Sequence, residues 1–386
     1  MPSTALRKTV LTAARRIVVK IGTQLLTSPQ PGKPGLDLRC LRDIARQIAE
    51  LCQRGYEVTL VSSGAIGAGC AELGLPKRPT DVADQQAVAA VGQRGLMMHM
   101  HDAFARHGLH VGQMLLTRSD FDDRVRFLNI RNCVTRLHRL HCIPIVNEND
   151  TVAVDEIRFG DNDMLSALMC NALRADALIL LTTVDGLLDA QGQVVDWVES
   201  VTDCLSLARR ETSRWGTGGI LSKLEAARIV TEAGETAVIA CGREKDVLHR
   251  LLSGEKLGTV FAPAQRKLDS RQRWIGLTAR PAGTVTIDDG AVAALCQRGK
   301  SLLASGIQAL TGQFERGEVL LVRDPRGREV ARGLTNYSAD ELRLIMGKRS
   351  NQFEKILGRP AYAEVIHRDN LVVLNNHHNP PPQPQS

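Results

Sequence analysis

Near its N-terminus the chain reads Ile17-Val18-Val19-Lys20-Ile21-Gly22-Thr23. This run of β-branched residues is typical of a strand that is buried on both faces, with one lysine among apolar neighbours. A lysine there needs a counter-charge, and the glycine that follows lets backbone N–H groups approach an anion closely. An ordinary Lys-x-Gly at the end of a strand has the same sequence, so this stretch is compatible both with an anion site and with a plain strand-to-loop transition.

Similar apolar runs recur as far as residue 261, and longer helical stretches separate them. The predicted strands cover residues 57–61, 111–116, 142–146, 177–181 and 236–240, and one helix covers residues 39–54. Strands that are apolar throughout and alternate with helices predict an α/β fold, an αβα sandwich around a mainly parallel central sheet. Ligands of such sheets bind at the carboxyl ends of the strands, which is where chemistry is expected.

The pattern changes after residue 261, so we expect a second domain. Residues 262–280 hold five basic residues against one acid and are predicted to be a basic linker. Runs at 283–287 and 317–322 predict strands of a small β-rich domain over 281–360, and Asp324-Pro325-Arg326-Gly327 is a hairpin-turn signal. Residues 375–386 contain Asn, His, Pro and Gln without an apolar anchor and are predicted to be disordered.

The composition narrows the class of protein. The 386 residues are too many for one ordinary domain, and 43% of them are hydrophobic, enough for a sizeable core. A net charge of +7 favours anionic partners, whereas aromatic residues at 3% argue against a surface that stacks nucleic-acid bases. A bound nucleotide explains the charge as well as RNA does.

The sequence favours a reducing compartment. It has nine cysteines and no CxxC pair, and Cys40, Cys52, Cys170 and Cys241 lie in apolar or helical stretches, so reduced, buried thiols are expected. No apolar run approaches the roughly 20 residues that cross a bilayer. The basic N-terminal segment resembles a transit peptide in composition, but the first strand begins near Arg16 and leaves too little to cleave. A cytoplasmic protein without a membrane partner is therefore expected.

Two glycine-rich segments are candidate anion sites. Residues 62–69 read Ser-Ser-Gly-Ala-Ile-Gly-Ala-Gly and open a predicted helix, although close packing through glycines would explain them equally well. Residues 216–223 read Gly-Thr-Gly-Gly-Ile-Leu-Ser-Lys and place Lys223 one turn inside another helix. That arrangement aims N–H groups, the helix dipole and a cation at one anion, without the spacing of a Walker A loop.

Polar residues also cluster after a predicted strand. They are Asn147-Glu148-Asn149-Asp150 and, a short loop later, Gly160-Asp161-Asn162-Asp163. Such residues can bind a substrate ammonium group, and Ca²⁺ loops are similarly rich in Asp and Asn, but the EF-hand spacing is missing. A solvated loop is the third interpretation.

Together these segments predict phosphoryl transfer at one edge of one sheet. Lys20 and Lys223 would flank the transferred group, since that chemistry requires mainly charge neutralisation and positioning. No histidine stands out as a base, and a carboxylate acceptor needs none because it is already deprotonated at neutral pH. The residues therefore favour a kinase that acts on a small carboxylate.

The same motifs, in the same order, resemble the amino acid kinase family, and in particular its members that phosphorylate glutamate. The resemblance rests on 18–23, 61–66, 111–117, 147–150, 160–163 and 216–219, and residues 281–360 resemble the PUA domain. It implies ATP-dependent, Mg²⁺-assisted phosphorylation of the L-glutamate γ-carboxylate to L-glutamyl 5-phosphate, the first step of proline biosynthesis. It also implies a homodimer or homotetramer, and proline as a possible feedback inhibitor.

Residue roles follow from the resemblance. It implies that Lys20 and Lys223 contact the transferred phosphoryl group and that Asp163 organises them. It further implies an ATP site made of Lys20, Gly22, Thr23, Thr182, Thr183, Thr217, Gly218, Gly219, Ile220, Leu221, Ser222 and Lys223. Glutamate would be bound by Ser63, Gly64, Asp150, Asp161 and Asn162. No residue is assigned as a metal ligand.

The chain departs from the family pattern at a few positions. Thr183 stands where an acid is frequent in the family, so the nucleotide contact there is expected to be weaker or to be made by the backbone. Gln24 stands where Ser or Thr is frequent in the family, so no direct role is expected of its side chain. Ile220 replaces Met and Ser222 replaces Thr, changes that preserve size and hydroxyl chemistry.

Two rival functions stay open. One is another amino acid kinase, acting on acetylglutamate, aspartate, carbamate or UMP. The other is an RNA-binding protein, since PUA-like modules bind RNA elsewhere. Residues 281–360 hold twelve basic and nine acidic residues, a net charge of +3. Proteins that bind RNA strongly through its phosphates have denser clusters of Lys and Arg, so RNA is not the expected partner.

Overall fold

The computed structural model describes residues 2–27, 35–153, 162–210, 219–265 and 267–374. The chain forms two compact units, Met1–Lys267 and Leu268–Ser386. The division falls inside the stretch that was predicted to be a linker. Among the described residues, no helix is long and apolar enough to cross a membrane.

An eight-stranded sheet forms the centre of the first unit. Its strands in chain order are β1 Arg16–Ile21, β2 Glu57–Ser62, β3 His110–Leu116, β4 Cys142–Glu148, β5 Ala177–Thr182, β6 Trp197–Val198, β7 Thr236–Cys241 and β8 Thr259–Phe261. Their order across the sheet is β3-β4-β2-β1-β5-β7-β8-β6. β1 pairs in parallel with β2 and β5, whereas β8 runs antiparallel to β7. The mainly parallel sheet is thus confirmed.

Helices cover both faces of this sheet. They are α1 Pro2–Ala13, α2 Thr23–Leu26, α3 Leu38–Gln53, α4 Ala65–Glu72, α5 Val82–Ala105, α6 Arg124–Arg139, α7 Asn162–Leu173, α8 Val201–Arg210, α9 Gly219–Glu232 and α10 Val247–Leu252. Ile17, Val19 and Ile21 share one apolar core with α3, α5 and α10. Because successive side chains of a strand point to opposite faces, Lys20 faces the other layer, where α7 lies against β1.

The N-terminal helix α1 is anchored by a buried arginine. The side chain of Arg7 is fully buried, and its Nη1 lies 2.5 Å from Asp196 Oδ1. Its Nε donates to the carbonyl of Glu255 at 2.9 Å, and its other nitrogens donate to the carbonyls of Leu257 and Gly258. The basic N-terminal segment is therefore a packed part of the first unit.

The second unit holds a five-stranded sheet. Its elements are α11 Ser270–Arg273, β9 Gly283–Ile287, α12 Asp289–Cys296, β10 Ile307–Gly312, β11 Val319–Arg323, β12 Glu329–Leu334, α13 Ala339–Ile345, α14 Phe353–Leu357 and β13 Leu371–Val373, with strand order β10-β9-β11-β12-β13. The predicted turn joins β11 to β12: the Asp324 carboxylate accepts from the N–H groups of Arg326 and Arg328 at 2.9 Å, and Gly327 adopts φ +81°.

Part of the predicted linker belongs to this folded unit. α11 continues into a wide helical turn, Trp274–Thr278, whose residues are buried and pack against β12 and β13. The basic residues around this turn led to the prediction of a linker. The apolar side chains of Trp274, Ile275 and Leu277 instead pack the turn against the sheet. The predicted disordered tail, 375–386, lies outside the described residues.

Candidate active site

Two lysines from distant parts of the chain meet at one carboxylate. Lys20 Nζ lies 2.5 Å from Asp163 Oδ1, and Lys223 Nζ lies 3.1 Å from Asp163 Oδ2. The side chains are 6%, 13% and 2% exposed for Lys20, Lys223 and Asp163, respectively. Two cations and one anion leave this cluster with a net positive charge in a largely dry place, an arrangement that favours an additional anion.

The start of α9 fixes the second lysine. Ser222 Oγ donates to Asp163 Oδ2 at 2.8 Å, and Lys223 Nζ donates to the carbonyl of Gly219 at 3.0 Å. Lys223 lies one turn inside α9, as the sequence predicted. Ser222 and Lys223 thus both contact the same carboxylate oxygen of Asp163.

The charges of this cluster are strongly coupled. Burial lowers the pKa of Lys20, Asp163 opposes that change, and the positive charge of Lys223 lowers the pKa further. Burial by itself would raise the pKa of the Asp163 carboxyl, but the two lysines and the Ser222 hydrogen bond hold it below its usual value. Asp163 therefore stays ionised and keeps both ammonium groups oriented.

Glycine at position 22 leaves room beside Lys20. A Cβ there would lie 3.7 Å from Lys20 Nζ and 3.4 Å from the carbonyl of Leu181. The Gly22 N–H donates to that carbonyl at 3.2 Å, and its own carbonyl accepts from Leu25 N as α2 begins. A side chain at this position would narrow the space around the buried ammonium group. Thr23 follows as the first, exposed residue of α2.

A chain of polar side chains lies next to the charged cluster. Asn162 precedes Asp163 at the start of α7, and its Nδ2 donates to Ser63 Oγ at 3.0 Å and to Asn147 Oδ1 at 3.2 Å. Asn147 Nδ2 in turn donates to Gln93 Oε1 at 2.8 Å. Ser63, Asn147 and Gln93 are all buried. The carboxyl ends of β2 and β4 are thus joined to the start of α7.

Glycines bring the helices of this region close together. Gly64 caps α4 with φ +105°, a left-handed conformation that favours glycine after Ser63. A Cβ on Gly69 would lie 1.9 Å from the carbonyl of Val88, and one on Gly92 would lie 2.0 Å from the carbonyl of Ala65. Gly69, together with Gly92, therefore allows close packing of α4 on α5, the helix that carries Gln93.

Two of the residues predicted to hold the nucleotide, Thr182 and Thr183, lie at the carboxyl end of β5. Thr182 ends β5, and its carbonyl accepts from the N–H of Gly242 at 2.8 Å. Thr183 Oγ1 donates to Gln24 Oε1 at 3.0 Å. Two of the four positions at which the chain departs from the family pattern are thus directly hydrogen-bonded to each other.

Asp150 lies in the turn that follows β4. The Asn149 N–H donates to the carbonyl of Leu116 at 2.9 Å, and the Asn149 carbonyl accepts from the N–H groups of Val152 and Ala153 at 3.1 Å. Asp150 is half-buried at this edge of the sheet. Ile220 and Leu221, in the first turn of α9, are half-buried as well. Asp161, Thr217 and Gly218 lie outside the described residues.

Two of these residues were not expected from the sequence. Asn147 was noted within a polar segment but given no role, and Gln93 was missed because a single glutamine in a helix carries no motif. The one sequence feature that could have indicated Gln93 is its place beside Gly92, as a polar residue in an Ala-rich stretch.

In the part of the chain that the structure describes, no group of three or more His, Cys, Asp or Glu could hold a metal ion.

Of the four cysteines that were expected to be buried, Cys170 and Cys241 are buried, whereas Cys40 and Cys52 are half-buried. All nine cysteines are free; Cys70, Cys170 and Cys241 are buried, whereas Cys133 is exposed. Burial raises the pKa of Cys40 and of Cys52 to about 11, so both thiols stay protonated at neutral pH.

Comparison with known proteins follows the division into two units. The model of the amino acid kinase family matches residues 15–241, and that of the PUA domain matches residues 283–357. The chain is 46% identical to a glutamate 5-kinase of Synechococcus sp. (strain JA-3-3Ab) over 93% of its length and 98% of that relative. It is 47% identical to a glutamate 5-kinase of Gloeobacter violaceus over 93% of its length and 99% of that relative.

Solved structures are more distantly similar to this chain. The Giardia carbamate kinase is 17% identical with a TM-score of 0.48, covering 65% of this chain and all of that one. The match of the kinase-family model to residues 15–241, together with the two curated relatives, shows that this chain is a member of the amino acid kinase family with a C-terminal PUA domain.

Proposed function

We propose that the chain is a glutamate 5-kinase, which transfers the γ-phosphoryl group of ATP to the γ-carboxylate of L-glutamate. The product is L-glutamyl 5-phosphate, the first intermediate of proline biosynthesis. Near-complete coverage of the curated relatives supports this activity. The observation that carries the mechanism is the buried Lys20–Asp163–Lys223 cluster with its excess positive charge.

The cluster suits the charge changes of the reaction. A γ-carboxylate oxygen attacks the γ-phosphorus, the bond from that phosphorus to the β–γ bridging oxygen breaks, and ADP leaves with the electron pair. Negative charge shifts onto the transferred group and the leaving oxygen. Lys20 and Lys223 would stabilise that charge from two sides, and Asp163 would hold them at a fixed separation.

Glutamate would bind on the Asn162 side of the cluster. Ser63 and Asn162 offer a hydroxyl and an amide, and Asp150 offers a carboxylate suited to the substrate ammonium group. Because Asn162 and Asp163 are consecutive, a substrate held by the first lies next to the lysines held by the second. The fixed distance between the substrate and the lysines would bring the reacting groups together, and such proximity contributes strongly to the rate of group transfer.

ATP would lie across the ends of β1, β5 and the start of α9. Gly22, Thr23, Thr182, Thr183 and residues 217–223 are the proposed contacts. Mg²⁺ is proposed to enter with the nucleotide, since this ion commonly binds through substrate phosphates and few protein ligands. The cytoplasm is the proposed location, in keeping with nine free thiols.

A substrate panel tests the specificity. Purified protein with MgATP is given L-glutamate, N-acetylglutamate, L-aspartate, carbamate or UMP, and ADP release is measured. We expect L-glutamate to give the highest kcat/KM by at least tenfold. Faster turnover of N-acetylglutamate or of any other acceptor would overturn the assignment.

A further inference from the structure

In the series of hydrogen-bonded polar side chains beside the lysines, each donor and each acceptor can be assigned. The Glu148 N–H donates to Asn147 Oδ1 at 2.9 Å. A backbone N–H can only donate, so it requires the oxygen of the Asn147 amide at that position and turns the NH₂ group of Asn147 toward Gln93. Gln93 then must present its own oxygen, as it does at 2.8 Å.

The orientation of the Asn147 amide also determines the hydrogen bonds on its other side, as far as Ser63. Asn147 Oδ1 also accepts from Asn162 Nδ2 at 3.2 Å, which fixes the amide of Asn162. The second hydrogen of that NH₂ group is donated to Ser63 Oγ at 3.0 Å. Ser63 therefore acts as an acceptor toward Asn162, and its hydroxyl hydrogen is directed to another group.

We infer that Gln93 is a positioning residue for the acceptor substrate. The Glu148 N–H sets which way the Asn147 amide points, and Gln93, by accepting from Asn147 Nδ2, holds that amide in place. The Asn147 oxygen can then accept from Asn162, which leaves the Ser63 hydroxyl as a hydrogen-bond donor. A substrate carboxylate only accepts hydrogen bonds, so a serine locked as donor suits it, whereas a serine locked as acceptor does not. This inference rests on the proposed function, since it takes Ser63 to face the carboxylate substrate.

Two features argue that Gln93 is held for this purpose. Its Nε2 is buried and has no hydrogen-bond partner among the described residues. The orientation of the Gln93 amide is therefore determined by the hydrogen bond to its oxygen and not by a bond from its nitrogen. Reversing the amide would set two donors against each other at 2.8 Å. The near contact of Gly92 with Ala65 also leaves α5 little freedom to withdraw Gln93 from Asn147.

Two substitutions separate positioning from simple packing. Gln93→Met keeps the length and removes the strong acceptor, whereas Gln93→Glu keeps an acceptor oxygen whether or not it is ionised. We expect Gln93→Met to raise the KM for glutamate about 10- to 100-fold, the effect of one unsatisfied buried donor, with kcat changed less than about threefold and the KM for ATP unchanged. Gln93→Glu should stay within about threefold of the parent protein in all three quantities.

The Ser63→Ala background supplies a further readout. If Gln93 acts through Ser63, Gln93→Met should raise the KM for glutamate far less once that hydroxyl is gone. Equal effects in both backgrounds, or a fall in kcat with unchanged KM, would overturn the inference. Should Gln93→Met fail to fold, a tenfold rise in KM for Gln93→Glu would overturn it instead. An inactive parent protein would contradict the proposed function, whereas an active parent with unresponsive variants contradicts the positioning role.

Discussion

Asn162 and Asp163 are consecutive residues at the start of α7, and their side chains bind different parts of the site. Asn162 donates to Ser63 and Asn147, while Asp163 pairs with Lys20 and Lys223. One helical turn therefore sets the distance between the proposed acceptor site and the cations that would stabilise the transferred group.

Asp163→Asn should disable catalysis more than binding. The amide cannot neutralise either lysine, so the two cations repel and lose their orientation. We expect kcat to fall by about 100-fold or more, with the KM for glutamate changed much less. Steady-state kinetics with varied glutamate checks this. A variant that keeps a tenth of the parent kcat would show that Asp163 does not organise the lysines.

Lys223→Met should also lower kcat by orders of magnitude. The substitution keeps an unbranched side chain in the first turns of α9 while it removes the charge that lies 3.1 Å from Asp163. Lys245→Met, at an exposed position, is the matched control and should leave kcat unchanged. Similar kinetics for the two variants would remove Lys223 from the mechanism.

The pKa of Lys20 should lie below its ordinary 10.5 in the ligand-free protein, because burial and the charge of Lys223 both disfavour the ammonium form. The folded protein then releases this proton at a lower pH than the unfolded chain, so the Lys20 contribution to the unfolding free energy rises with pH between the two values. NMR titration of isotopically labelled lysine, assigned with Lys20→Arg, measures the pKa. Asp163→Asn should lower it further, and a titration at or above 10.5 would contradict the expectation.

Gln24 and Thr183 should act as a pair in ATP binding. Their 3.0 Å hydrogen bond ties α2 to the end of β5, but it lies at the surface, so its effect is small. We expect Gln24→Ala and Thr183→Ala each to raise the KM for ATP about twofold, and the double variant to be no worse than either. Multiplicative effects would mean that the two side chains act independently.

Arg7→Ala should loosen the N-terminal helix. The change leaves Asp196 without its buried partner and frees several carbonyls, which should lower the unfolding free energy of the first unit by about 3 kcal/mol. Hydrogen exchange of peptides that span α1 measures the loss, with exposed Lys8→Ala as the control. Unchanged protection in Arg7→Ala would show that α1 is held by its apolar contacts.

Local patterns predicted the parallel strands and the lysine at the start of α9, because burial on both faces and glycine-opened helices leave clear signals. Very short strands do not: β6 and β8 have two and three residues, and their pairing depends on neighbours far along the chain. The burial of Arg7 could not be predicted either, since its partners at 196 and 255–258 lie far from it in the sequence.

The site was likewise predictable only in part. Lys20, Asp163 and Lys223 could be brought together by the rule that parallel strands present ligand-binding residues at one edge. The Gln93–Asn147 contact could not, because it depends on how closely α4 and α5 approach at Gly69 and Gly92. Side-chain partners between a helix and a strand follow from packing rather than from residue type.

The most direct test of the central claim is hydroxamate formation from L-glutamate, ATP, Mg²⁺ and hydroxylamine, measured for the parent protein and for Asp163→Asn in parallel. Hydroxylamine traps an acyl phosphate, so the assay reports transfer to a carboxylate rather than ATP hydrolysis. We expect the parent protein to form glutamyl hydroxamate in step with ADP, and Asp163→Asn to form it at a rate at least 100-fold lower. ADP release without hydroxamate, or equal rates for the two proteins, would contradict it.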